Sequence, residues 1–220
     1  MTRAQIISRL LKPALFILLL VPLALLVQRG FSDTLGANPV ETITHQTGLW
    51  ALRLLLLTLA ITPLCRITGI NEFVRLRRMI GLYSFMYALL HFSTYAVLDH
   101  SLDLIAILAD VVKRPYVTVG FSAFLMLIPL AATSHNRIIR LLGGKRWKRL
   151  HRLVYFCALG GVLHYLWLVK ADTLSPLLYL AGFLVLMSFR LPPQVRARLR
   201  GGWRRLSLAQ FGGRLLKEES

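Results

Sequence analysis

The stretch HRLVYFCALGGVLHYLWLV, residues 151–169, decides the fold class of this 220-residue chain. It is apolar and long enough to cross roughly 30 Å of hydrocarbon, which takes about 20 helical residues. It also carries two histidines, His151 and His164. Because hydrocarbon holds no water to solvate an imidazole, an ionisable side chain within it indicates a functional site.

Five further apolar segments indicate a multi-pass membrane protein. The chain is 56% hydrophobic and has a mean hydropathy of +0.61, which is too apolar for an ordinary soluble domain. The predicted fold is all-α, a bundle of six transmembrane helices over residues 1–190, followed by a basic tail at residues 191–220. The six predicted spans are residues 10–28, 48–65, 80–98, 116–134, 151–169 and 174–190.

Lys and Arg are distributed unequally between the two sides of these spans. Of 27 such residues, 22 fall at the N-terminus, in the loops at 66–79 and 135–150 with Arg152, and in the chain from Arg190 onward. The positive-inside rule therefore predicts that both termini are cytoplasmic. The net charge of +18 then fits contact with an anionic lipid bilayer and not with nucleic acid.

A third histidine, His91, lies in the span at residues 80–98. The thirteen residues from His151 to His164 cover about 20 Å of helix, so one cofactor cannot use both. His91 is expected near the depth of His164, which predicts a b-type haem held between His91 and His164. The alternative is that each histidine hydrogen-bonds a neighbouring helix and binds nothing.

The inner level, around His151, is predicted to differ from the outer one. Stepping back from His91 by the same distance gives Arg77 or Arg78, where a second haem would need a histidine. A guanidinium is a poor iron ligand but pairs well with propionate or phosphate. The inner level therefore holds either a haem ligated by His151 and another residue, such as His135, or a flavin or quinone.

Two glycines and one acid–histidine pair each have two interpretations. Gly160 and Gly161 either let a flat macrocycle approach the helix that carries His164 or pack two helices closely. Glu41 and His45, in the predicted outer loop at residues 29–47, either serve proton transfer or partner binding, or Glu41 caps a helix after a turn at Asn38. The second outer loop, residues 99–115, contains an apolar stretch suited to the membrane interface.

Several short sequence strings resemble a known family over nearly the whole chain. They are NPVE at 38–41, THQTG at 44–48, RRMIGL at 77–82 before His91, and WKRLHRL at 147–153 before His164. In these strings the chain is similar to MsrQ, formerly YedZ. That family comprises haem-binding membrane subunits of bacterial periplasmic methionine-sulfoxide reductase systems and lies within the ferric-reductase-like transmembrane superfamily.

The resemblance implies haem ligation by His91, His151 and His164, with one or two b haems and FMN as a further candidate cofactor. It implies electron transfer in the bacterial inner membrane from the quinone pool to a periplasmic molybdopterin subunit, MsrP, which carries out the methionine-sulfoxide reduction. The main alternative is a ferric reductase or oxidase core fed by a cytoplasmic flavin reductase docked on residues 145–149. A haem-free scaffold or transporter is the alternative from another class.

Overall fold

A computed structural model describes residues 3–169 and 173–191, and every regular element within them is helical. A short lead-in, Arg3–Ile6 and the π-helical turn Ile7–Leu11, precedes the first long helix. The main helices are α1 (Lys12–Phe31), α2 (Pro39–Thr68), α3 (Val74–Thr94), α4 (Leu104–Lys113), α5 (Pro115–Ala132), α6 (Asn136–Leu142), α7 (Gly144–Leu150), α8 (Leu153–Leu168) and α9 (Leu174–Ser188). A 3₁₀ turn at Asn71–Phe73 leads into α3, and a π-helical turn at Tyr95–Asp99 follows it.

Three helices within the described residues are long and apolar enough to cross a membrane. They are Ala4–Phe31, which contains α1, together with α2 and α5, while α9 is apolar but shorter. The all-helical membrane class is thus confirmed, whereas the count of six spans stays a prediction. The predicted span at residues 151–169 is observed as α8, whose 16 residues extend about 24 Å.

The start of α2 differs from the sequence expectation. Residues up to 47 were expected to lie in an outer loop, yet α2 begins at Pro39. The Asn38 side-chain oxygen accepts a hydrogen bond from the Glu41 N–H at 3.2 Å, and its amide donates to the Glu41 carboxylate at 3.1 Å. Asn at the cap, Pro at the first position and Glu at the third are a strong helix-start signal, which here outweighs the polar composition.

Two helix pairs carry most of the packing, α2 with α3 and α5 with α8. A core cluster joins the first pair to α1, and within it the tyrosine hydroxyls are satisfied by α1 carbonyl groups. The Tyr83 hydroxyl donates to the Phe16 carbonyl at 3.0 Å, and the Tyr87 hydroxyl donates to the Leu19 carbonyl at 2.8 Å. These bonds fix α1 against α3 without leaving an unpaired hydroxyl in apolar surroundings.

The predicted second outer loop contains α4. Asp103 caps this helix, because its carboxylate accepts hydrogen bonds from the backbone N–H groups of Ile105 and Ala106. Ile107 and Val111 are buried on one face, whereas Ile105 and Val112 are more than 80% exposed on the other. A helix with one unburied apolar face fits the expected position at the membrane interface.

The chain divides into two compact units, Met1–Phe183 and Leu184–Ser220. The described part of the second unit is the end of α9 and the turn after it, where Arg190 donates a hydrogen bond to the Leu186 carbonyl at 2.9 Å. The predicted basic tail lies, from residue 192 onward, outside the described residues.

Candidate cofactor site

A cavity of about 610 Å³ lies among α2, α3, α5 and α8. Both His91 and His164 line it, together with apolar side chains such as Leu52, Phe124 and Leu127. Its volume falls in the range of small-molecule and cofactor pockets. An apolar cavity with two convergent imidazoles is suited to a large flat ligand that is bound from both sides.

The two histidines face each other across this cavity, as their positions in the sequence predicted. Their ring centres are 6.1 Å apart, and the ring planes are inclined at 74°. Two imidazoles that bind one metal ion from opposite sides, with metal–nitrogen bonds of about 2.0–2.1 Å, place their ring centres ~6 Å apart. The spacing therefore fits axial ligation of a single metal ion.

Backbone carbonyl groups fix the protonation pattern of both imidazoles. The Nδ1 atom of His91 lies 2.8 Å from the Thr44 carbonyl oxygen, and Nδ1 of His164 lies 2.7 Å from that of Tyr116. A carbonyl oxygen only accepts, so each Nδ1 carries the proton and donates. Each Nε2 is then left with a lone pair, the form in which histidine binds a metal.

Glycines make room for both rings. A Cβ atom at Gly48 would lie 2.9 Å from Nδ1 of His91, and one at Gly120 would lie 2.6 Å from Nδ1 of His164. In both cases the glycine comes four residues, about one helical turn, after the residue whose carbonyl accepts the bond. The role of Gly48 and Gly120 beside the two rings was not predicted from the sequence, although a glycine in an apolar segment before each histidine was a usable signal.

The two glycines that the sequence analysis did single out lie in different surroundings. A Cβ atom at Gly160 would meet the Ala123 side chain at 3.1 Å, so this glycine brings α8 close to α5. Gly161 lines the cavity, and a Cβ atom there would lie 3.3 Å from the Leu52 side chain. Close helix packing thus accounts for Gly160, and the approach of a ligand is possible only beside Gly161.

The residues of the predicted inner level, His151, Arg77 and Arg78, do not line this cavity. His151 Nε2 is 3.2 Å from the Thr133 hydroxyl, and the His151 ring lies 4.0 Å from the Trp147 ring, centre to centre. Arg77 lies in the first turns of α3 and does not line the cavity. Arg78 instead donates to the Asn136 side chain at 2.6 Å.

The three remaining histidines occupy peripheral positions. His135 is exposed, and its Nδ1 accepts a hydrogen bond from the Arg137 N–H at the start of α6, so this atom is engaged as a helix cap. His45 is exposed on the rim of the cavity. His100 lies 3.7 Å from the buried Asp110 carboxylate.

A charged network lies at the mouth of the cavity. The Asp110 carboxylate accepts from the Tyr95 hydroxyl at 2.9 Å and forms an ion pair with Arg114 at 2.7 Å. Arg114 also donates to the Tyr116 hydroxyl at 3.2 Å. That bond, together with the Asp110 carboxylate, raises the pKa of Arg114. Because the Tyr116 carbonyl holds His164, the network connects the mouth to one histidine.

The donor set fits an iron that brings its own equatorial ligands. Within residues 3–169 and 173–191, no group of three His, Cys, Asp or Glu side chains is placed to hold a bare metal ion. Protein zinc sites use three or four such side chains, whereas haem iron needs only axial ligands. The buried Thr44 hydroxyl, which lines the cavity without a partner in the described part of the chain, is available to a polar group of such a ligand.

The all-helical membrane fold and the paired histidines define a class, the ferric-reductase-like transmembrane proteins. The family described as "Ferric reductase like transmembrane component" matches residues 47–162, a range that includes α3 with His91, all of α5 and the first part of α8, and ends before His164. No solved structure matches the chain significantly.

Three curated relatives narrow this class. The chain is 48% identical over 184 residues to one from Ralstonia nicotianae, covering 83% of this chain and 85% of the relative. It is 53% identical over 172 residues to one from Herminiimonas arsenicoxydans, covering 77% and 79%, and 47% identical over 194 residues to one from Azospira oryzae, covering 88% and 82%. Each is named a protein-methionine-sulfoxide reductase heme-binding subunit MsrQ. The chain belongs to the MsrQ family.

Proposed function

We propose that the cavity binds a b-type haem with His91 and His164 as its axial ligands. The observation that carries this proposal is the 6.1 Å separation of two imidazoles whose Nδ1 atoms are both held by backbone carbonyl groups. When bound, the haem supplies a one-electron carrier. The protein's own residues hold the two Nε2 lone pairs in position and keep the surroundings apolar.

The chain acts as the electron-transfer subunit of a methionine-sulfoxide reductase system. Its relatives are named as heme-binding subunits of such a reductase. A quinol of the respiratory pool supplies two electrons and two protons, and a periplasmic molybdopterin partner, MsrP, uses them to convert methionine sulfoxide to methionine and water. Repair of oxidised periplasmic proteins is the outcome, and the bond-breaking step belongs to the partner.

The charge distribution supports a position of this site near the periplasmic side of the bacterial inner membrane. With six spans and both termini cytoplasmic, the segment before α2 and the segment containing α4 face the periplasm. The cavity mouth, with Asp110 and Arg114, opens on that side. Partner docking on these two segments keeps the electron path from the histidine pair to the partner short.

The inner level, around His151, is a second cofactor position. The family resemblance supports it, because it implies that His151 is a haem ligand. His151, Arg77 and Arg78 are the residues that would hold a second haem, FMN or a quinone there. Support comes from the sequence spacing, which predicts Arg77 or Arg78 opposite His151, because a guanidinium pairs with propionate or phosphate. A haem-to-protein ratio measured for the wild type and His151→Ala tests it, since a second haem ligated by His151 predicts a drop from two to one.

The alternative donor, a cytoplasmic flavin reductase, is supported by the charge of one helix. Helix α7, sequence GKRWKRL, is basic and carries no acidic residue, and its Lys145 and Lys148 side chains are exposed. Such a surface suits an acidic cytoplasmic flavin reductase, which would feed a ferric reductase or oxidase core.

Reduction of the purified, haem-loaded protein distinguishes the two donors. We expect a short-chain quinol to reduce the haem in the absence of any flavoprotein, as followed by its visible absorption. Reduction only by a flavin reductase and its nicotinamide substrate would favour the alternative. A purified protein with no haem absorption would remove both.

A further inference from the structure

Arg53 is a charged residue within the apolar part of α2, near the N-terminal end of that part. It follows Leu49 by four residues, about 6 Å along the helix, and its side chain is exposed. The preceding residue, Leu52, is buried and lines the cavity, whereas Arg53 does not line it. Arg53 therefore projects toward lipid from a helix whose neighbouring face forms the cofactor cavity.

Aromatic residues hold this guanidinium in place. Its Nε donates a hydrogen bond of 2.8 Å to the Tyr179 hydroxyl of α9, and its central carbon lies 5.0 Å from the centre of the Trp50 ring. The Tyr179 ring in turn contacts Tyr165 edge-on at 5.8 Å. Tyr165 lines the cavity, so one aromatic ring separates this cluster from the proposed haem.

The Arg53 guanidinium and the Tyr179 hydroxyl can donate further hydrogen bonds, and they face an apolar environment. A guanidinium has five N–H donors, and Tyr179 takes the Nε donor. Because Tyr179 accepts that bond, its own hydroxyl proton is available to a further acceptor. Lipid tails offer no acceptors, and a charge held among them is costly unless a partner supplies some.

We propose that Trp50, Arg53 and Tyr179 form a lipid-facing binding site for the head group of a membrane quinone. A quinone is neutral, planar and carries carbonyl acceptors that match the planar fork of a guanidinium. Its isoprenoid tail remains in the bilayer, onto which the site opens.

This inference rests on the proposed function, because it assigns a place to the quinol that donates electrons. It adds a location that is separate from the inner level around His151. The Tyr165 ring between the cluster and the cavity gives a short route to the histidine pair. The conservative change Arg53→Lys keeps the charge but removes the planar fork of the guanidinium. We therefore expect this variant to bind the quinone head group less tightly than the wild type does.

Equilibrium binding of decylubiquinone to the full-length, haem-loaded protein in nanodiscs tests the site directly. Loss of hydrogen bonds from a charged donor predicts a rise in Kd of about tenfold or more for Arg53→Leu, with a smaller rise for Tyr179→Phe. Arg29→Leu, an exposed arginine at the end of α1, is the matched control and should bind as the wild type does. An unchanged Kd in Arg53→Leu, or equal weakening in Arg29→Leu, would overturn the proposal.

Photo-crosslinking and reduction assays complete the test without relying on one variant. An azido-quinone should label peptides that contain Trp50 or Tyr179 in the wild-type protein, and labelling confined to other segments would refute the site. Dithionite reduction and an unchanged haem spectrum show that each variant is intact.

If quinone binds at Arg53 but quinol reduces no variant, including the wild type, the proposed donor fails while the binding site stands. If quinol reduces the wild type and Arg53→Leu equally, the site fails while the proposed donor stands.

Discussion

At the scale of single residues, the site depends on two histidine side chains and on the backbone carbonyl groups that bind them. Only the histidines can be recognised in the sequence. His91 and His164 could be paired from sequence, because depth along parallel helices increases linearly with residue number. The carbonyl groups that hold them belong to Thr44 and Tyr116, and a backbone carbonyl has no signature in the sequence. Which residue accepts the bond depends on how α2 and α5 pack, which periodicity does not specify.

The histidine pair gives a direct prediction. We expect His164→Ala to abolish the low-spin haem spectrum, because the iron loses one of its two axial nitrogens. His91→Ala should have the same effect for the same reason. The control is His45→Ala, since His45 is exposed on the rim and should leave the absorption spectrum intact. A normal spectrum in either of the first two variants would contradict the ligand assignment.

The glycine beside each ring gives a second prediction. Gly120→Ala would place a methyl group 2.6 Å from His164 Nδ1, so the ring must move away from the Tyr116 carbonyl. Overpacking of this kind costs about 1–3 kcal/mol, and we expect weaker haem retention and a shifted reduction potential, measured by redox titration. Gly182→Ala is the control, because a Cβ atom at Gly182 meets nothing within 4 Å. Equal behaviour of the two variants would show that the close approach has no effect.

At the scale of elements, the sequence placed helix centres better than helix ends. The apolar centre of α2 was expected, but its first nine residues, which include the polar Glu41, Thr42 and Thr44, were assigned to a loop. Their side chains are tolerated because this end of α2 meets the cavity mouth and the Asn38 cap satisfies a free backbone N–H. The interpretation of a helix beginning after a turn at Asn38 is confirmed, with Asn38 itself as the cap, whereas the boundary set by hydropathy at residue 48 is wrong.

That cap predicts a measurable change in stability. Asn38→Ala removes the acceptor for the Glu41 N–H, and we expect a loss of about 1 kcal/mol of stability, seen as a lower unfolding temperature in detergent. The control is Asn38→Ser, which can still cap the helix and should remain within a few tenths of a kcal/mol of the wild type. A lower unfolding temperature in both variants would assign the effect to the Glu41 side-chain contact instead.

At the scale of the whole molecule, hydropathy indicates that the protein is a membrane protein, whereas the positions of charged residues indicate its orientation. Hydropathy identified a membrane protein, which the long apolar helices support. The count of spans is harder to settle, because α3 begins with three arginines within its first five residues and α8 has only 16 residues. The orientation rests on the positions of Lys and Arg, since apolar segments alone are symmetric with respect to the two membrane faces.

The orientation can be checked by chemical labelling. Ala37→Cys, before α2, should react with a membrane-impermeant maleimide added to intact spheroplasts, whereas Lys148→Cys in α7 should react only after the membrane is opened. The native Cys65 and Cys157 are buried and provide the unlabelled background. The reverse pattern would place the histidine pair near the cytoplasmic face and would remove the short path to a periplasmic partner.

The carbonyl partners of the two histidines also affect how this site tolerates mutation. A side-chain acceptor can be lost in one substitution, whereas a main-chain oxygen persists whatever residue occupies position 44 or 116. We therefore expect saturation mutagenesis to find positions 44 and 116 permissive for haem loading and positions 48 and 120 intolerant of every residue larger than glycine. The proposed haem ligation should thus be insensitive to substitution at two positions and sensitive to it at two others, each one helical turn away.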